Sequence, residues 1–280
     1  MMAADSRSDR SSGESVVDHR VAVMTGGASL IGLAFARRWI AAGGRIVAAD
    51  RNESDRGEIT ATLGEAGRYV VGDVSDDGFL AEVVTTALEE FGRLDVVVSG
   101  PAVFDDSGYA STRELWHRSL DINLVSAARL TDLALPHLEP GSAVVYIASV
   151  SGRSSQPGRM VYNVTKAGLL MLARTGAQAL AARGVRVNTV SPGWTWSRNI
   201  ESRYGTRRRA DAFAAEFQPL GRMADPEEIA DAVMFVVSDQ AGFMTGSDLA
   251  IDGGYTALGP EALGQASKKV PPIQPGSPSR

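Results

Sequence analysis

Tyr162 and Lys166 stand four residues apart in a segment, 161–183, whose apolar periodicity predicts a helix, and that spacing puts both side chains on one face. A phenol beside an ammonium can do proton chemistry. Tyrosine ionises near pH 10 in water, so service as a base near neutrality requires its phenolate to be stabilised by about 3 to 4 kcal/mol. Adjacent positive charge supplies such stabilisation. The lysine is unusual in its own right: of 28 basic residues only Lys166, Lys268 and Lys269 are lysines, and the last two lie near the C-terminus. Every other basic position in the expected folded body is arginine, so position 166 calls for a compact ammonium rather than a planar guanidinium.

The elements that must hold this pair are legible as an alternation of short β-rich runs and apolar-periodic stretches. Strands are predicted at 20–25, 45–50, 68–71, 94–99, 143–149, 185–191 and 248–251. Helices are predicted at 30–42, in a stretch ending near 64, and at 77–91, 113–138, 161–183 and 226–238. This order predicts an α/β fold: a doubly wound (Rossmann-type) parallel seven-stranded sheet with helices on both faces, in a single domain. The domain is expected over residues 19–258, between a disordered N-terminal tail at 1–18 and a Pro/Ser/Gly-rich C-terminal tail at 259–280.

Composition narrows the chemistry. Hydrophobic residues at 44% and charged residues at 22% suffice for one sizeable core. The absence of cysteine removes disulfides, thiolate zinc sites, iron–sulfur clusters and thiol nucleophiles together. His19, His117 and His137 are scattered without ligand spacing, so no catalytic metal is expected. A formal net charge of −5 disfavours a nucleic-acid binder held by phosphate contacts. No apolar run is long enough to span a bilayer, and the first eighteen residues lack the apolar stretch of a secretory signal, so a cytoplasmic enzyme is expected.

In open parallel sheets, ligands sit beyond the carboxyl ends of the strands, where a pyrophosphate meets the N-terminus of the first helix. Here that turn runs from Thr25 to Gly32, with Gly26 allowing a tight exit from the strand and Gly32 allowing close helix packing. A glycine-rich turn alone equally suits an ordinary strand–helix connection. Asp50, about twenty residues further on, adds a carboxylate that can accept bonds from an adenosine ribose and that repels a 2′-phosphate. Ser29 offers that phosphate no positive charge. NAD is therefore favoured over NADP, and Asp73 could meet the adenine edge. Taken singly, Asp50 could also be a helix cap or a solvated turn residue.

With these features in place, the chain resembles the short-chain dehydrogenase/reductase family over about residues 20–258. The resemblance rests on the Thr25–Gly32 turn, Asp73-Val74, Asn123 in Asp-Ile-Asn-Leu, Ser149, Tyr162-x-x-x-Lys166, Pro192-Gly193 and Asp252-Gly253-Gly254-Tyr255. It implies that Tyr162 exchanges a proton with a substrate oxygen that Ser149 hydrogen-bonds. It further implies that Lys166 binds the nicotinamide ribose and lowers the tyrosine pKa, while Asn123 holds a water linking the lysine to solvent. The implied dinucleotide site comprises Gly26, Ser29, Ile31, Gly32, Asp50, Arg51, Asp73, Val74, Pro192, Gly193, Thr195 and Ser197, besides Tyr162 and Lys166. Two departures stand out. Leu30 occupies a position usually held by glycine, where a side chain meets a tight backbone approach. Ser99-Gly100-Pro101-Ala102 replaces the usual Asn-Asn-Ala-Gly, and Pro101 removes a backbone donor.

The family closes the segment after Pro192-Gly193 over its substrate, and here that segment holds Trp194, Trp196, Arg198, Arg203, Tyr204 and Arg207 to Arg209. Aromatic walls suit a ring and arginines suit a carboxylate or phosphate, although a solvated helix face would also carry these residues. Phe104, Arg153 and Gln156 are further candidates for the pocket wall, with Tyr109 and Trp116 behind them. The leading expectation is an NAD(H)-dependent oxidoreductase acting on a secondary alcohol or its ketone. Alternatives are a 3-oxoacyl thioester reductase using NADPH and a non-catalytic dinucleotide sensor or scaffold. By analogy, the 226–255 segment is expected to join a homotetramer or homodimer.

Overall fold

Strands covered on both faces need apolar residues at successive positions rather than at alternate ones, and β1 (Val21–Thr25) and β4 (Leu94–Ser99) are buried at every position. The computed structural model describes residues 17, 19–259 and 263 of the 280. With β2 (Arg45–Asp50), β3 (Gly67–Val71), β5 (Leu138–Ile147), β6 (Arg186–Pro192) and β7 (Asp248–Ile251), these strands form the expected seven-stranded parallel sheet, ordered β3-β2-β1-β4-β5-β6-β7. The chain direction across the sheet reverses between β1 and β4. Thr25 pairs with Ser99 at their ends, so the crevice at this switch point opens just beyond them.

Side chains alternate across the sheet and divide the core in two. On one face Val23, Val97 and Val144 pack with Leu80 of α3 (Asp77–Phe91), Leu130 of α5 (Ser126–Ala134) and Leu169 of α6 (Met160–Leu180). On the other, Met24, Ile46 and Val98 pack with Phe35 and Trp39 of α1 (Leu30–Ala41) and Val233 of α9 (Pro226–Val237). Helix α9 is started by Pro226 and a reciprocal capping box between Asp225 and Glu228. Val17, inside the segment expected to be a tail, is fully buried in the second of these clusters, so the packed body begins earlier than residue 19. The remainder of the N-terminal tail expectation, and all of the C-terminal one except residues 259 and 263, lies outside the described residues.

The expected helix at 113–138 is divided into α4 (Arg113–Leu120), a π-helical turn at Asp121–Val125, α5, and a tight turn at Leu135–His137 built around Pro136. Helical periodicity runs through the π turn, which is why the pattern hides it. Strand β5 begins at Leu138 rather than 143, with a register shift between the Leu94 and Val96 pairings. It also ends at Ile147, so Ser149 is not a strand residue. Its side chain instead accepts the Ser151 N–H at 3.1 Å and caps the short turn Val150–Gly152. Helix α2 (Arg56–Leu63) lies between β2 and β3. After Gly193 the chain forms α7 (Arg198–Tyr204) and α8 (Arg207–Ala214) around a small third cluster of Ala210, Ala214 and Met223.

Candidate active site

The first two turns of α6 carry Tyr162 and Lys166 inward: they are 9% and 2% exposed. The Ser149 side chain hydrogen-bonds the phenol. Lys166 Nζ donates to the Ile147 carbonyl at 2.7 Å and stands 5.7 Å from the centroid of the Tyr162 ring. Burial pushes the phenol up to about 12, while the Ser149 hydrogen bond and the Arg159 charge pull it down. Burial pulls the Lys166 ammonium down to about 7. The spacing in sequence assigns the acidifying charge to Lys166, and the structure adds a second cation, Arg159, beside the same ring.

Asn123 sits in the π turn and is 2% exposed. Its Oδ1 accepts the Val103 N–H at 2.7 Å, and its Nδ2 donates to the Val103 carbonyl at 3.0 Å and to Thr165 Oγ1 at 3.2 Å. Thr165 in turn donates to the Tyr162 carbonyl at 2.8 Å. The amide thus ties the loop following β4 to the helix that bears the phenol, without itself lining the cavity.

Beyond β1, the Gly26 backbone is left-handed at φ 77°, and a Cβ there would stand 2.8 Å from the Gly100 carbonyl carbon. At Gly32 a Cβ would fall 2.5 Å from the Gly26 oxygen. Ser29 donates to the Gly26 carbonyl at 2.7 Å and accepts the Gly32 N–H at 3.0 Å, capping α1. Asp50 Oδ2 accepts the Ala28 N–H at 3.1 Å, which binds the turn to the end of β2. Leu30 is the first residue of α1 and needs no left-handed backbone, since His19 is the one described non-glycine residue that has one. The leucine therefore changes the wall of the site and leaves the turn intact. Ser99 accepts from Thr25 Oγ1 at 3.4 Å, and Pro101 lines the recess beside it.

One cavity of about 850 Å³ joins the two ends. Ser29, Leu30, Ile31, Asp50 and Arg51 line it at one extreme and Ser149, Tyr162, Lys166, Pro192 and Gly193 at the other. A smaller recess of about 140 Å³ is lined by Gly26, Asp50, Arg51, Asp73 and Val74. A dinucleotide fits this arrangement: a glycine turn packed too closely on its neighbours to admit a Cβ, a helix N-terminus beside it, and an elongated cleft leading to a buried phenol. Thr195 and Ser197 line the same cleft, and Gly32 stays below its surface as a packing residue. Among the described residues, no cluster of His, Asp or Glu is placed to hold a metal ion, and no helix is long and apolar enough to cross a membrane.

The cavity is further walled by Phe104, Gln156, Trp194 and Trp196. Trp194 is held by its N–H to Gln218 Oε1 at 2.6 Å, and Trp196 by its N–H to the Ala224 carbonyl at 2.9 Å. Arg153 is a correction. Its guanidinium is turned away from the cavity and paired with Asp248 of β7. Tyr109 is 97% exposed, and neither it nor Trp116 lines the cavity. Of the arginines after Gly193, Arg207 pairs with Asp211 and Asp225, and Arg198 pairs with Asp55 at 3.3 Å while donating to the Ala28 carbonyl at 2.6 Å. The residue that sequence reasoning missed is Arg159, which lines the cavity beside Tyr162. Its position one helical turn before the tyrosine was the available signal.

A family pattern described as Enoyl-(Acyl carrier protein) reductase matches residues 26–256. The chain is 37% identical over 248 residues to a cis-4-hydroxycyclohexanecarboxylate dehydrogenase of Sinomonas cyclohexanicum, covering 85% of this chain and 97% of that protein. It is 32% identical over 243 residues to the Homo sapiens protein named dehydrogenase/reductase SDR family member 4, covering 84% and 87%. A crystal structure of gox2181 superposes with a TM-score of 0.80 at 29% identity, covering 88% of this chain and 99% of that one.

Proposed function

Because the chain belongs to the short-chain dehydrogenase/reductase family, we propose that it is an oxidoreductase moving a hydride between NAD(H) and a secondary alcohol or its ketone. The carrying observation is that Ser149, Tyr162 and Lys166 meet at one end of a cleft whose other end reaches Asp50. The residues lining the cleft from Asp50 to Gly193 would hold a nicotinamide dinucleotide, which would supply the hydride acceptor. Ser149 orients the substrate oxygen. Tyr162 takes the hydroxyl proton as the C–H pair leaves, so that the alcohol becomes a carbonyl, and returns the proton in the reverse direction. Lys166 and Arg159 supply the positive potential that makes the phenolate accessible despite burial, and Lys166 would hold a ribose hydroxyl.

Asp50 supports NAD because its carboxylate stands at the adenosine end, where a 2′-phosphate would meet like charge. Asp73 and Val74 serve the adenine side of the recess, and Pro192, Gly193, Thr195 and Ser197 the nicotinamide side. Arg51, which lines both cavities, favours a second reading: an NADPH-dependent reductase, with a 3-oxoacyl thioester as its substrate class. The hydroxycyclohexane ring in the name of the Sinomonas relative supports a cyclic secondary alcohol here. We further propose a homotetramer or homodimer joined through residues 226–255, supported by the exposure of Phe235 and Phe243 and testable by light scattering.

The test is a panel of cyclic and acyclic secondary alcohols with NAD and with NADP, followed at the absorbance of the reduced cofactor. Wild type is expected to turn over cyclic members with NAD, and Tyr162→Phe to lose about 100-fold or more in kcat. Equal rates in the two proteins would remove Tyr162 as proton carrier. Binding of NAD without turnover of any alcohol or ketone would favour the sensor or scaffold alternative.

A further inference from the structure

Arg159 precedes α6 and holds its guanidinium carbon 5.7 Å from the Phe104 ring, 5.8 Å from the Tyr162 ring and 5.8 Å from the Trp194 ring. Three aromatic walls shield a cation from water without neutralising it. Among the described residues no carboxylate forms an ion pair with Arg159. Of the two acids on the neighbouring loop, Asp105 pairs with Arg118 at 3.5 Å, and Asp106 accepts the backbone N–H groups of Val161 at 2.6 Å, Tyr162 at 3.3 Å and Gly108 at 2.8 Å.

The other cations of the cavity are differently engaged. Lys166 donates to the Ile147 carbonyl, Arg198 is paired with Asp55, Arg203 lies against Tyr204, and Arg51 sits at the adenosine end. Asp50 is the one acid among the described lining residues. The catalytic end is thus positive and aromatic, lined by a guanidinium that has no ion-pair partner among the described residues.

We propose that Arg159 anchors a substrate carboxylate, and that the substrate class is a hydroxy acid and its keto acid, with the carboxylate a ring or short chain away from the carbinol carbon. This deepens the oxidoreductase reading and rests on it. A guanidinium binds a carboxylate through two parallel hydrogen bonds. Phe104 and Trp194 would then cover the apolar span between the two polar ends. The anchored charge also sets which carbon faces the phenol, so beyond its effect on the phenol, which acid and amide share, the arginine discriminates between them through KM and regiochemistry.

The experiment compares 4-hydroxycyclohexanecarboxylate with its primary amide, using NAD, in wild type, Arg159→Met and Arg159→Lys, each checked for folding by its thermal melt. In wild type kcat/KM for the acid is expected to exceed that for the amide by about 10- to 100-fold. In Arg159→Met that ratio should fall to near one, chiefly through KM, and Arg159→Lys should retain part of it. A ratio near one in wild type, or one unchanged in Arg159→Met, overturns the proposal and marks the arginine as a packing cap for the rings. Titration calorimetry with cyclohexanecarboxylate supplies a readout independent of turnover. Binding by wild type that Arg159→Met loses supports the anchor, even where no alcohol is oxidised and the oxidoreductase reading itself has failed; absent binding, or equal binding by both proteins, overturns it.

Discussion

Replacing Lys166 by methionine should stabilise the fold while removing the activity. The lysine is 2% exposed, and its ammonium is pulled from 10.5 to about 7 by burial. The unfolded chain therefore keeps its lysine proton to higher pH than the folded one. Stability falls as pH drops from 10.5 towards 7 and is constant with respect to this group below that. The shift sets a ceiling of roughly 5 kcal/mol on the penalty near neutrality. Relaxation around a buried amine lowers it, and methionine forfeits the hydrogen bond to the Ile147 carbonyl, at a cost of about 1 kcal/mol. A net gain of about 2 kcal/mol remains, or roughly 4 to 8 °C in Tm for a domain of this size.

Urea melts of both proteins at about pH 6.5 and about pH 9.5 would separate this effect from ordinary repacking, since only the lysine penalty fades across that window. Tyr162 does not interfere, because its folded value of about 12 exceeds its ordinary value of 10.0 and both states keep the phenolic proton below the lower of these. The variant is expected to be the more stable at low pH, with the difference shrinking towards zero at high pH. A difference that does not change with pH, or a variant less stable at both, would refute the argument that the ammonium is held against its solvation.

Asp50→Ala should shift the ratio of kcat/KM with NAD to that with NADP by about 10-fold or more towards NADP, measured with one alcohol and both cofactors; an unchanged ratio would deny the carboxylate its role in cofactor choice. Gly32→Ala places a Cβ 2.5 Å from a backbone oxygen that cannot swing aside, so the turn and the start of α1 must move apart. It should cost about 2 kcal/mol in urea melts and weaken NAD binding by calorimetry, and an unaltered midpoint would show that the turn has slack.

The buried strands of a parallel sheet are short-range signals, and Val21–Thr25 and Leu94–Ser99 announce themselves as apolar runs. The same holds for Tyr162 and Lys166, whose common face follows from helix geometry alone, and for Gly26 and Gly32, whose lack of a side chain matters within a single turn. Other features were illegible because they depend on segments distant in the chain. The π turn that seats Asn123 keeps helical periodicity, and its reason is the distant Val103 and Thr165 partners. Arg153 and Arg159 are both arginines near the catalytic helix. Only tertiary packing pairs the first with Asp248 and leaves the second facing Phe104, Tyr162 and Trp194. Pattern along the chain thus decides which side chains face inward, whereas the charge a buried group meets depends on which distant strands and loops arrive beside it.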